Sequence, residues 1–233
     1  MSERRRSAGV FLAALSALSL LVLTGCTSTT SSSTATAVTP AAADVLSASA
    51  SAMAAVTSAA FTLTVDGSLP AVPVQKAQGT LNSTGDAKGT ASLVELGQLV
   101  EVEFVLVGGD LYVKGPTGGF AKVPAALAGQ VYDPSVTLNP ATGVAKVLSS
   151  VQNPVVTGSD AGSWLVSGTV PAAVVGALVP GITTDVSAVF TIGMTGAQLT
   201  AATFTLNGDD GKPATVTVTL SDINQPVSIS PPG

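Results

Sequence analysis

Leu99-Val100-Glu101-Val102-Glu103-Phe104-Val105-Leu106-Val107 is the stretch that decides the fold. Successive side chains of an extended chain point to opposite sides. Val100, Val102, Phe104 and Leu106 therefore share one face, and Glu101, Glu103 and Val105 share the other. Such a segment belongs in an antiparallel sheet with one side on a core and one in water. The same phase recurs upstream. Phe61, Leu63 and Val65 alternate with threonines up to Asp66-Gly67, a hairpin turn signal. Alternation continues from Val72 to Leu81 and closes at Asn82-Ser83-Thr84-Gly85. Lys88–Leu96 and Leu99–Val107 are split by Gly97-Gln98, which reads as a tight hairpin. Gly108-Gly109 then turns the chain into Asp110–Lys114, which Gly115-Pro116 ends. Five strands joined by short turns make a meander.

The middle of the chain changes rhythm. Phe120–Val123 is a short strand, and Pro124–Gly129 is compatible with one helical turn. In Leu138-Asn139-Pro140, Asn139 is placed to cap a helix and Pro140 to occupy its first position. Val144, Val147, Leu148 and Val151 follow at spacings of three and four, so Ala141–Val151 is predicted to lie as a helix across one sheet face. Strands resume at Pro154–Ser159 and Ser163–Val170, with Trp164, Val166 and Val170 in one phase. Pro171–Val179 carries no charge and suits a short helix at the lip of a cavity. Asp185–Ile192, Gln198–Leu206 and Ala214–Leu220 are three more alternating runs. Near the front, Ala41–Val56 is an Ala-rich helix candidate, with Pro40 placed to start it. About ten strands and two or three helices follow, in the order helix, strands, helix, strands. The expected class is α+β, a curved antiparallel sheet with its helices gathered on one side.

Many apolar residues line one face of that sheet, while the candidate helices are few and built from small residues. If the helices do not fill the concave side, a lined hollow remains. The residues expected to line it are Phe61 and Leu63, Ala91 and Leu93, and Val102, Phe104 and Leu106 in the first half. Trp164, Val166, Phe190 and Val218 complete the lining in the second half. The competing reading is an ordinary packed core. The Ala, Val and Gly bias weighs against it, because small side chains leave volume for a ligand.

The N-terminal end places this domain in the cell. Arg4, Arg5 and Arg6 precede an apolar run from Ala8 to Leu23, too short for a comfortable membrane span and suited to a signal-peptide core. Leu23-Thr24-Gly25-Cys26 follows, holding the chain's only cysteine. That order resembles a bacterial lipobox, which implies cleavage before Cys26 and a diacylglyceryl group on its thiol. Residues 1–25 then form the signal peptide, and residues 26–40 an acylated cysteine with a Ser/Thr/Ala tether of roughly 20 Å r.m.s. span. The expected location is the extracytoplasmic side of the cell membrane, held by lipid.

Composition removes several functions. Losing residues 1–25 takes three arginines and Glu3, leaving 208 residues with six lysines against thirteen carboxylates, net −7, and no arginine or histidine. No basic face is available for nucleic acid. No group titrates near neutrality to serve a Ser-His-Asp hydrolase. Zinc sites draw on histidine and cysteine, but histidine is absent and the only cysteine is the acylated Cys26, so no metal or cofactor is implied. Glu101 and Glu103 share a face as paired catalytic carboxylates would, but it is the outward one, where solvated charges belong. Asp209-Asp210 sits in an Asn-Gly-Asp-Asp-Gly run that hairpin chemistry explains better than calcium. Gly108-Gly109 and Gly118-Gly119 lack the following helix that a phosphate cradle needs.

The least generic residues are Tyr132-Asp133-Pro134 and Leu138-Asn139-Pro140-Ala141-Thr142-Gly143, together with Asp110-Leu111-Tyr112-Val113 and the lipobox. In these the chain resembles the LppX/LprAFG lipoproteins of mycobacteria and related actinobacteria, over nearly the whole mature length. The resemblance implies a half-barrel sheet around helices, enclosing an apolar cavity for acyl chains of triacylated lipids and glycolipids, in a lipid-binding domain spanning residues 41–229. It implies transport from the inner membrane towards the outer envelope, alongside a major-facilitator exporter, and no enzymatic activity. Residues 230–233 form a loose tail. Two other readings stay open: a chaperone for acylated proteins of the LolA type, and a structural cell-surface domain without a cavity.

Overall fold

Alternating β-branched and polar residues, broken every eight to ten positions by glycine turns, leave this chain little choice but a sheet. The computed structural model describes residues 39–69, 74–95, 97–123, 136–178, 182–208 and 211–233. Eleven strands are present: β1 (Ser58–Asp66), β2 (Val74–Asn82), β3 (Ala87–Glu95), β4 (Gln98–Val107), β5 (Asp110–Lys114), β6 (Ala121–Val123), β7 (Gln152–Asp160), β8 (Ser163–Val170), β9 (Val186–Gly193), β10 (Leu199–Asn207) and β11 (Pro213–Ser221). The described helices are α1 (Ala42–Ala54), α2 (Val144–Ser149) and α3 (Ala172–Leu178).

All strands join one open, curved antiparallel sheet in the order β6-β5-β4-β3-β2-β1-β11-β10-β9-β8-β7. Two meanders, β1–β6 and β7–β11, are spliced where the first strand pairs with the last, Phe61 opposite Leu220 and Leu63 opposite Val218. The helices share one apolar core with the inward face, so Val45, Leu46 and Met53 of α1 and Val147 and Leu148 of α2 pack with Phe61, Leu81, Val166 and Phe190. α1 leans on α2 and on β7 and β8. Each large side chain fully withdrawn from water here stabilises by about 1.5–3 kcal/mol.

The helix boundaries depart from the sequence reading in two places. Pro40 does not start α1: Ala41 is the N-cap, with φ −65° and ψ 133° and no side-chain cap. Asn139 and Pro140 do not open α2 either. The Asn139 side-chain oxygen accepts from the Ala141 N–H at 2.9 Å, and its carbonyl accepts from the Gly143 N–H at 2.7 Å. Asn139 thus caps a separate turn, and the helix begins only at Val144. A Cβ on Gly143 would run into the carbonyls of Val136 and Thr137, so the chain there passes too close for any other residue. α3 falls within the uncharged Pro171–Val179 run, and its first N–H, on Ala172, is capped by the Asp185 carboxylate at 2.9 Å. Pro124–Gly129 lies outside the described residues.

Two devices hold the first meander in shape. Gly79 and Gly89 stand opposite each other on β2 and β3. A Cβ on Gly79 would meet the Lys88 carbonyl, and one on Gly89 the Gln78 carbonyl, so the two backbones approach as only glycine permits. At the strand ends, the Asp86 carboxylate accepts from the Gly108 N–H at 2.9 Å and the Thr84 hydroxyl at 3.0 Å. It thereby ties the β2–β3 turn to the β4–β5 turn. The sheet's two edges are protected: β6 is three residues long, and β7 carries Pro154, two register shifts and a positive φ at Asn153.

Gly89→Val should destabilise the domain by more than about 2 kcal/mol, since backbone and not a mobile side chain must move; urea midpoints for the wild type and Gly89→Val measure it. The Gly108 N–H holds the Asp86 carboxyl below its ordinary value; desolvation opposes it, and the Asn82 and Thr84 side chains add to the lowering. The stability it contributes is therefore full above the unfolded value and lost as pH falls below 3.8, the ordinary aspartate value, through the lowered folded one. Melting curves across acid pH should show the wild type losing stability more steeply than Asp86→Asn.

Candidate functional site

Strand register assembles the site. On the inward face Val102 stands opposite Ala91, Ala91 opposite Ala77, and Ala77 opposite Leu63. Across the splice Leu63 faces Val218, Val218 faces Ala202, and Ala202 faces Phe190. Phe190 then faces Val166, which faces Val156. One unbroken apolar row thus crosses nine strands, from β4 to β7. Six of the eleven residues predicted to line a hollow lie on it: Leu63, Ala91, Val102, Val166, Phe190 and Val218. The flanking rows hold the other five. Phe104 and Phe61 sit on either side of the Gly79–Gly89 pair, Leu106 is opposite Ala87, Leu93 is opposite Val100, and Trp164 is opposite Ile192. Phe190 meets Phe204 edge to face, with ring centroids 6.1 Å apart.

Burial divides this face. Val166 and Phe190 are wholly covered beneath the helices, and Phe61 and Leu106 nearly so. Leu63, Ala91, Leu93, Val102, Phe104, Trp164 and Val218 remain partly exposed. The covered residues include Ala59, Leu81, Ala87 and Leu106, at the strand ends that carry the 83–86 and 108–109 turns. Of the exposed ones, Leu63, Val218, Ala91 and Val102 lie on the row itself, Leu93 beyond it towards the β3–β4 turn, and Phe104 and Trp164 on its other side. At the strand end that carries the β3–β4 turn, Val65, Val74 and Ala214 are buried as well, so the partly exposed residues form an apolar patch across the sheet that is covered at both ends on β1, β2 and β11.

The outward face is polar. Glu101 aligns with Ser92 and Lys76, and Glu103 with Thr90 and Gln78, placing both carboxylates where the alternation puts them. Glu103 also accepts from Lys114 Nζ at 2.7 Å, and Asp110 from Lys122 Nζ at 2.8 Å. Lys76, Lys88, Lys114 and Lys122 all belong to outward rows, so none of these cations faces the apolar patch. Among the described residues no group of three or more His, Cys, Asp or Glu could hold a metal. Cys26 and Tyr132-Asp133-Pro134 lie outside the described residues. Ala77, Ala202 and Val156 complete the row but escape a strand-by-strand reading of the sequence; only cross-strand register reveals them.

An open antiparallel half-barrel with helices packed against its apolar face is the architecture of a family of lipoproteins. The LppX_LprAFG lipoprotein model matches residues 41–229, and the chain belongs to that family. The lipoarabinomannan carrier protein LprG of Mycolicibacterium smegmatis is 32% identical over 239 residues, covering 100% of this chain and 99% of the relative. The crystal structure of LprF from Mycobacterium bovis superposes with a TM-score of 0.72 at 27% identity, over 83% of this chain and 98% of that one. The crystal structure of LppX from Mycobacterium tuberculosis shares the fold, with a TM-score of 0.62 at 21% identity, over 83% of this chain and 100% of the other. Membership places the chain among lipoproteins and not among enzymes.

Ala91→Trp would put an indole into the middle of the row, and Phe104→Asp a carboxylate beside it. Both should lower the lipid recovered per protein several-fold while leaving far-UV circular dichroism unchanged. Quantitative lipid extraction from the purified variants provides the measurement, and unchanged loading in both would remove these residues from the lining.

Proposed function

We propose that this chain is a lipid-anchored carrier whose concave apolar face receives the acyl chains of triacylated lipids or glycolipids. In this reading Cys26 carries the anchor, the domain works on the extracytoplasmic side of the cell membrane, and cargo moves from the inner membrane towards the outer envelope. The observation that carries the reading is the continuous apolar row, left partly exposed along β1, β3, β4 and β11. Relatives named lipoarabinomannan carrier protein support a lipoglycan as cargo. A major-facilitator exporter remains the expected partner in the membrane.

Physical chemistry supports a carrier. Each methylene removed from water gains about 0.8 kcal/mol, so a C16 chain gains on the order of 12 kcal/mol gross and does not cross an aqueous space unaided. Measured against a bilayer, which is equally apolar, moving that chain onto the protein is near neutral, which permits both loading and release. Lys76, Lys88, Lys114 and Lys122, on outward rows, offer a phosphorylated headgroup nothing on the apolar face. Recognition then rests on the tails. Two acyl chains on Cys26 would meet the two-signal requirement for stable anchoring.

Mass spectrometry of lipid extracted from the protein purified out of an actinobacterial host tests this. Multi-acyl species in stoichiometric amount are the expected result. Lipid-free protein, or acylated polypeptides as the main co-purifying species, would overturn it, the second outcome favouring a protein chaperone.

A further inference from the structure

On the outward side of the sheet a groove of about 80 Å³ lies over β3, lined by Lys76 and Gln78 of β2, Thr90 and Ser92 of β3 and Glu101 of β4. Strand register explains it. Ser92 stands between Lys76 and Glu101, and Thr90 stands opposite Gln78. The middle strand therefore carries two short side chains and its neighbours the long ones, which leaves a trough with polar walls. Ala77 and Ala91 border it through backbone alone, because their side chains belong to the apolar row on the other side. One extra residue of β2, Gln75, separates the Val74–Leu93 pair from the Lys76–Ser92 pair. That bulge lets Val74 stay in the core while Lys76, two positions on, faces outward.

The two charges of the groove do not neutralise each other. Glu103, one row away, is tied to Lys114, but β5 ends at Lys114 and gives Glu101 no cross-strand neighbour. Lys76 and Glu101 sit two strands apart, roughly 10 Å at strand spacing. Neither has an ion-pair partner among the described residues. An ammonium donor, a carboxylate acceptor, an amide that is both and two hydroxyls thus converge on one polar hollow. We propose that this groove is a sugar-binding site, which holds one neutral pyranose ring by its neighbouring hydroxyls. An anion placed there would meet Glu101, and a cation would meet Lys76. A hydroxyl both donates and accepts, so a neutral polyol satisfies the whole set: Glu101 accepts, Lys76 donates and Gln78 does each. At about 30 Å³ per water the groove holds two or three waters, so it takes one edge of the ring and leaves the rest in solvent. The site does not depend on the carrier reading, because the sheet separates it from the apolar row.

Saturation-transfer difference NMR on the full chain, held in a detergent without sugar headgroups, tests this. The probes are the methyl α-glycosides of glucose, galactose and mannose, with glycine as a zwitterionic comparison. The expected result is transfer to the ring protons of at least one glycoside and none to glycine. Titration should show that glycoside binding about tenfold weaker in Glu101→Gln. Ser92→Leu, which fills the trough, should abolish it, and Lys122→Ala on β6 should leave it unchanged. Far-UV circular dichroism and the lipid recovered per protein should match the wild type in all three variants. Absence of transfer to every glycoside overturns the proposal. Transfer to glycine alone does the same and assigns the groove to a zwitterion. Glycoside binding that survives both Ser92→Leu and Glu101→Gln overturns the location. Lipid-free wild-type protein would overturn the carrier reading and leave the glycoside result standing.

Discussion

The pairing of β1 with β11 is the constraint on which the rest of the structure depends. It joins residues more than 150 positions apart, Phe61 with Leu220 and Val65 with Val216, and it does so in phase. A slip of one residue there would turn the inward side of one meander into the outward side of the other. The apolar row would end at Leu63, and neither half alone would hold enough strands to curve around the helices. Local turns make each meander; this one non-local ladder makes a continuous face.

From that face follows a separation of chemistry by side. Charges stand outward or at turns, and several are satisfied locally, as in the Glu103–Lys114 and Asp110–Lys122 pairs. Exposed ion pairs of this kind contribute little to stability. What they achieve is placement, because a lysine held on the outward face does not face the tails of a lipid. The inward side is apolar, with small residues at Ala77, Ala91 and Ala202 and bulk at Phe61, Phe104 and Phe190. Selection by shape and length of an apolar chain is the kind of recognition such a surface performs.

Much of this was legible in the residues themselves. Period-two alternation carries its own phase, so the inward sets of β1, β4, β8, β9 and β11 can be read without coordinates, and Asp-Gly and Gly-Gly pairs mark the turns between them. The exterior position of Glu101 and Glu103 follows from the same parity. The order of strands is not written locally, since nothing near Phe61 names Leu220 as its neighbour. Helix starts were the least legible feature. Asn139 and Pro140 carry the right chemistry for a helix N-terminus, yet the close passage at Gly143 diverts them into a turn of their own and delays α2 to Val144. The Gly79–Gly89 approach was equally hidden, because two glycines in separate strands declare nothing until register sets them face to face.

The guarded edges at β6 and β7 have one more consequence. In a closed barrel, strand number and shear together dictate the diameter. This sheet never closes, and its two rims are free of each other. Its girth is therefore set by the apolar core packed within it and not by a ring of hydrogen bonds.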